Sequence, residues 1–274
     1  MDGTQTNFAL TSDQIAAYDR DGFVVIKGLF NGAEVEKLNH IVDQDPVVAD
    51  AVVGRKDSQG STAEIALWTD LQDDMFSDVA RSSRVVENVE TLMGGPAAFF
   101  HAKLTLKRPK TGGAWDWHQD YGYWYRDGYL FPDLASVFIA LDPCKKINGC
   151  LQVLRGSHKM GRIEHGVNVD QVGADMTRVT TAMEKLDLVH VEMDPGDGLF
   201  FHSNLLHASG QNVSDHTRNV LLCCYIRTDN PPVKDGVSGE LQHIEPVSDD
   251  MVMRFSDRPI SRDKSFATKK KQTD

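Results

Sequence analysis

Apolar residues change their spacing near residue 97. Before it the period is helical. Thr11 and Gln14 form a capping-box pair ahead of Ile15 and Tyr18, which predicts a first helix. Asn31 can cap a second, with Val35, Leu38, Ile41 and Val42 on one stripe. Val85, Val86, Val89 and Leu92 mark a third over 83–93, closed by Gly94-Gly95-Pro96. GFVVIKGLF (22–30) reads instead as a short buried strand, and 50–75 shows no clear period. After residue 97, short apolar runs alternate with turn residues: AFFHAKLTLK, WDWHQD, ASVFIALD, CLQVLRG, DLVHVEM, DGLFFH and RNVLLCCYI. Asn148-Gly149 is a hairpin signal, and Pro195-Gly196-Asp197-Gly198 is a second turn. Strands without βαβ alternation predict a mainly β protein with flanking helices and a jelly-roll or barrel-like core.

Neither an internal repeat nor a linker interrupts the chain, so 1–274 reads as one domain. It has a helical N-terminal elaboration to about 96, a β core at about 97–230 and a C-terminal extension over 231–274. Residues 160–187 hold Gly161, Gly166 and Gly173 with little apolar periodicity, and composition alone suggests a loop acting as a lid.

Within the β region, His118 and Asp120 stand two apart, His207 follows Asp120 by 87 residues, and Arg218 follows by 11 more. On a strand, His118 and Asp120 face one side. Two imidazoles and a carboxylate can hold one Fe(II) and leave its opposite face open. Arg218 supplies a planar, permanently charged fork suited to a carboxylate. These are the parts of an iron enzyme that activates O2 with a 2-oxo acid. Arg218 returns beside His207 if their two segments pair. Ser209 shares a strand face with His207 and is either a donor to the same carboxylate or a turn hydroxyl. His-x-Asp alone is a weak signal among ten histidines and 40 acids; the ordered set is the stronger one.

The formal net charge of −11 argues against nucleic acid or anionic membrane as partners. Lys269-Lys270-Lys271 reads as a solvated tail. Cys144, Cys150, Cys223 and Cys224 form no C-x-x-C pair and are expected as free thiols. A basic, apolar leader is not seen at the start, nor a run of about 18 apolar residues anywhere, so the expected location is the cytoplasm.

WHQDYGYW (117–124), NGCLQVLRGSHKMG (148–161) and PGDGLFFHSNLLHASGQNVSDHTR (195–218) resemble the phytanoyl-CoA dioxygenase family of Fe(II)/2-oxoglutarate oxygenases. The likeness runs from about 97 to 228. It implies a double-stranded β-helix, a jelly-roll of the cupin kind. It implies iron on His118, Asp120 and His207, and the far carboxylate of 2-oxoglutarate on Arg218 and Ser209. Gln119 is a further co-substrate candidate. So is Lys103, unless it is simply a solvated lysine. Succinate and CO2 are the expected co-products. Asp120 points to hydroxylation or another oxidation, because related halogenases leave that ligand position empty.

The segment after the iron motif is similar to that of ectoine hydroxylases in the same family. There, the positions of Trp124 and Phe201 line the substrate pocket, and an aromatic follows the arginine by four; here that residue is Leu222. Aromatics crowd 115–129, either packing the barrel or forming a wall over the iron, with Trp124 and Tyr123 the best candidates for the wall. Nearby Asp116, Asp127 and Asp133 would favour a cation, and the expected substrate is a small neutral or cationic metabolite. Rival readings are a non-catalytic metal-binding β-barrel, a zinc hydrolase lacking a convincing base, and an inactive family member. Oligomeric state is not legible.

Overall fold

A computed structural model describes residues 8–233, 241–254 and Lys264. The lysine run at 269–271 lies outside the described residues. Helix α1 (Ser12–Asp21) precedes β1 (Phe23–Ile26), and α2 (Gly32–Gln44) and α3 (Pro46–Ala51) lead into β2 (Val53–Lys56) and β3 (Thr62–Trp68). Helices α4 (Met75–Arg81) and α5 (Ser83–Met93) follow. Next come β4 (Ala97–Lys107), β5 (Trp115–His118), the short α6 (Asp120–Trp124), β6 (Leu134–Ala140) and β7 (Leu151–Leu154). A hairpin, β8 (His165–Asn168) and β9 (Gln171–Ala174), runs into α7 (Met176–Met183). The chain then supplies β10 (Leu188–Val191), β11 (Gly198–His202), β12 (His207–Ser209) and β13 (Arg218–Arg227).

The Thr11–Gln14 capping box forms as the sequence signals, and the Asn31 cap proves to be a second box with Glu34. Thr11 and Asn31 each accept from the backbone of the residue three on, and Gln14 and Glu34 reciprocate. Strands β4 to β7 and β10 to β13 then alternate between two antiparallel sheets. The larger has the order β1-β11-β6-β13-β4-β3-β2 and the smaller β10-β7-β12-β5. This alternation is the jelly-roll, or double-stranded β-helix. The first 96 residues contribute three strands to it, because β1 pairs with β11 and β3 with β4.

Period-two alternation gives the larger sheet two distinct faces. Outward, Leu104, Leu106, Val137, Leu221 and Tyr225 pack on Phe76, Val85 and Val89 of α4 and α5. Each such burial contributes about 1.5–3 kcal/mol. Inward, Leu199, Phe201, Phe138, Val220 and Leu222 form a second cluster inside the barrel. The adjacent cysteines obey the same rule: Cys223 lies in the outer cluster and Cys224 in the inner one. All four cysteines are free and buried.

Two local expectations change. Asn148-Gly149 does not close a β6–β7 hairpin, because those strands belong to different sheets. Gly149 is nevertheless required: its φ is +76°, and a Cβ there would lie 2.2 Å from the Gly210 carbonyl oxygen. Residues 160–187 are not an open loop but largely the β8–β9 hairpin and α7. The hairpin is pinned to the barrel, with Tyr123 donating to the Val172 carbonyl at 2.5 Å and Gln171 bonding both Ala114 and Asp116. Its turn holds Val169 at φ +55°, where the usual Asn-Gly signature would have advertised a hairpin. No described helix is long and apolar enough to cross a membrane.

Candidate metal centre

Strand β5 ends at His118, and Asp120 opens α6 rather than continuing the strand. Gln119 between them stays extended (φ −112°, ψ 135°), so strand alternation still carries Asp120 to the side of His118. His207 begins β12 directly opposite His118 in the ladder. The two imidazole centroids lie 4.1 Å apart. Each Nε2 is 3.9 Å from Asp120 Oδ1, and all three donor atoms lie within 4.8 Å of one another.

Protonation suits a metal. Burial pushes the His118 pKa well below the usual histidine value, reinforced by His207, and burial lowers that of His207 as well. Both rings are therefore neutral at ordinary pH, as ligation requires. Each Nδ1 faces the backbone carbonyl two residues upstream, Asp116 for His118 and Leu205 for His207. That bond fixes the proton on Nδ1 and frees Nε2. Burial alone would raise the Asp120 pKa, but Lys103 and the two imidazoles outweigh it, with a 2.7 Å bond from Ser136, and hold it at about 2.

A second feature lies at the far end of β4 and β13. Arg218 is 1% exposed and pairs in register with Lys107. Its Nη1 donates to Thr105 at 3.1 Å, its guanidinium stands 5.9 Å from the Phe138 ring, and its Nε is buried without a partner. Among the described residues no carboxylate forms an ion pair with it, and Asp142 acts on it only at longer range. A buried, unpaired cation is expensive unless an anion joins it. Ser209 Oγ is also buried and unpartnered. Lys107 links the two: its ammonium donates to the carbonyls of Gly210 (2.6 Å) and Gly113 (2.5 Å) while its backbone lies opposite Arg218. Burial, then the nearby Arg218 charge, pushes the Lys107 pKa well below the usual lysine range. β12 and β13 do not pair, so Arg218 reaches this end from the opposite sheet rather than from beside His207. Orphaned donors opposite a His-Asp-His set fit a metal-chelating oxo acid with a second, distal carboxylate.

The family model for phytanoyl-CoA dioxygenase matches residues 18–220. This chain belongs to the phytanoyl-CoA dioxygenase family. Its enzyme class is that of the family, dioxygenation dependent on 2-oxoglutarate. The chain is 28% identical over 245 residues to the L-proline trans-4-hydroxylase of Streptomyces griseoviridis, covering 80% of this chain and 88% of that one. Among solved structures it resembles EctD from S. alaskensis with 2-oxoglutarate and 5-hydroxyectoine, with a TM-score of 0.70 at 21% identity over 90% of this chain and 91% of that one. It also resembles the epimerase SnoN with Fe3+, alpha ketoglutarate and nogalamycin RO, with a TM-score of 0.68 at 22% identity over 87% and 95%. Both share the fold of this family member.

Other candidates fall on two sides. Lys103 is not a solvated lysine: its side chain is 18% exposed and its ammonium lies 3.9 Å from Asp120. Trp124 and Phe201 are buried, Trp124 edge-on to Phe100 (5.3 Å) and Phe201 edge-on to His207 (5.0 Å). Tyr123 meets the His118 ring at 5.5 Å while its hydroxyl is tied to the hairpin. The Gln119 side chain is engaged by backbone groups. Its amide donates to the carbonyls of Gly161 and Asn204 and accepts from Ile163, so it braces backbone. Two of the three acids expected to attract a cation are engaged elsewhere: Asp133 pairs with Arg227, and Asp116 bonds Ser58 and Asn168.

Sequence reasoning missed Thr105, Ser136, Lys107 and His101. His101 stacks edge-on with Phe100 and Trp124, and burial, then Lys103, lowers its pKa to about 3. One signal was available. His101, Lys103, Thr105 and Lys107 recur every second residue along an otherwise apolar strand, which marks a polar inner face.

Proposed function

We propose that this chain is an Fe(II)/2-oxoglutarate-dependent dioxygenase that hydroxylates an unactivated C–H bond of a small metabolite, with succinate and CO2 as co-products. The observation that carries this reading is Arg218, buried without a counter-ion at one end of the barrel that holds the His118–Asp120–His207 set. His118, Asp120 and His207 hold the iron. Arg218 and Ser209 take the distal carboxylate of 2-oxoglutarate. Lys103 adds positive charge beside Asp120, where the chelating end of that dianion binds. Bound together, iron and 2-oxoglutarate supply the oxidising power drawn from O2. The chain orients both, keeps Nε2 of each histidine deprotonated, and surrounds them with apolar side chains that exclude water.

The substrate pocket is the aromatic side of the barrel, with Trp124, Phe201 and Tyr123 as walls. With Asp133 paired to Arg227 and Asp116 bonded to Ser58 and Asn168, a small neutral substrate is favoured over a cationic one. Leu222 belongs to the same inner cluster and leaves more room than an aromatic would. Buried free thiols suit a reducing compartment, the cytoplasm.

Anaerobic Fe(II) with 2-oxoglutarate is expected to give a weak visible charge-transfer band that His118→Ala abolishes, and O2 is then expected to yield succinate. A folded, metal-loaded protein with neither band nor succinate would leave the alternative, a non-catalytic metal-binding β-barrel.

A further inference from the structure

Three histidines in this barrel share one device. His118, His207 and His165 each set Nδ1 against the backbone carbonyl two residues upstream, at 2.7, 2.8 and 2.8 Å. In each ring the proton therefore sits on Nδ1 and the lone pair on Nε2. For His118 and His207 that lone pair faces Asp120. For His165 it accepts the backbone N–H of Gln119 at 2.9 Å. Gln119 is the residue between His118 and Asp120.

We propose that His165 is a positioning residue of the metal centre, holding the His118-Gln119-Asp120 corner in register through the Gln119 amide. The inference rests on the metal-binding reading of the triad. Strand β5 ends at His118, so no ladder partner takes the Gln119 N–H, and Gln119 is fully buried. Without an acceptor that N–H would cost about 1–3 kcal/mol. The surroundings are cut to the imidazole. A Cβ on Gly122, in the turn that Asp120 opens, would lie 2.1–2.3 Å from three atoms of the His165 ring. The Gln119 side chain fastens the same corner to the same segment, accepting from Ile163 N at 2.7 Å and donating to Gly161 O at 2.8 Å. Its remaining donor reaches the Asn204 carbonyl at 2.7 Å, three residues ahead of His207. The clamp thus joins the lead-ins to all three ligands. An Arg126 side chain donating to the His165 carbonyl ties the clamp to the end of α6.

Co(II) tests this without knowledge of the substrate, because its visible bands report coordination geometry. In folded His165→Phe, which keeps a ring but loses the acceptor, Co(II) affinity should fall about 10–100-fold with an altered spectrum. His165→Gln places an amide oxygen near the position of Nε2 and should restore affinity to within about threefold of wild type. Wild-type affinity and spectrum in His165→Phe would overturn the proposal, as would equal loss in both variants, which would make the role one of packing. If neither variant folds, a hydrogen-bond scalar coupling between Gln119 N and His165 Nε2 in the Zn(II)-loaded wild type decides: its presence supports the proposal and its absence overturns it. Co(II) binding to the wild type that survives His118→Ala would instead sink the metal reading beneath it.

Discussion

The two faces of β4 and β13 divide the labour of this molecule. Outward, Leu104, Leu106, Leu221 and Tyr225 meet helices in an apolar layer. Inward, the same two strands carry His101, Lys103, Thr105, Lys107 and Arg218, all buried or nearly so. The outer face is what any sheet needs against a helix. The inner face is what folding alone disfavours, since buried cations destabilise a barrel unless something satisfies them. Lys107 is satisfied by two carbonyls and acts as a strut. Arg218 has one hydroxyl and an orphaned Nε, and in the proposed reading a ligand carboxylate completes it.

Arg218 should show the largest difference between the two faces. Arg218→Ala should weaken 2-oxoglutarate by about 3–5 kcal/mol, a hundredfold or more in KM, while the melting temperature holds or rises. A large loss of stability with unchanged KM would make Arg218 a structural residue. On the outer face the signs reverse. Leu104→Ala should cost about 2–5 kcal/mol of stability in denaturant unfolding and leave the 2-oxoglutarate KM of the folded enzyme alone.

Acid separates the faces more gently. On the inner face, His101 has a folded pKa lowered to about 3 by burial and then by Lys103, against 6.5 when exposed. Between those values the unfolded chain binds protons that the folded one refuses, so apoprotein stability should fall as pH drops below about 6.5. This group contributes at most about 1.4 kcal/mol per pH unit, and replacing His101 by Phe should flatten the slope. Smallest is Ser209→Ala, expected to cost about 1 kcal/mol of co-substrate binding, roughly fivefold in KM, with no change in metal affinity.

Much of this was legible because it is periodic or local. Caps announced α1 and α2, and period-two runs announced the strands of the core. The three metal-ligand candidates and Arg218 stood out by type and order, and the structure brings the first three together. What stayed hidden depends on strand order. Ser136 reaches Asp120 from β6, and Thr105 reaches Arg218 from β4, and no spacing along the chain encodes either meeting. Helix α4 is buried on nearly every residue and so shows no amphipathic period. The unreadable stretch at 50–75 holds β2 and β3, where Gly54 and Arg55 blur the first strand. Asp120 looked like a strand residue because Gln119 is extended; the helix begins one residue later.

In the proposed reading, Arg218 and Ser209 are left unsatisfied for a distal carboxylate. Calorimetry of the anaerobic Fe(II) protein with 2-oxoglutarate and with 2-oxobutyrate, which chelates identically but lacks that carboxylate, tests it most directly. 2-Oxoglutarate should bind about a hundredfold tighter, and Arg218→Ala should erase the difference. Equal affinities in the wild type would contradict it.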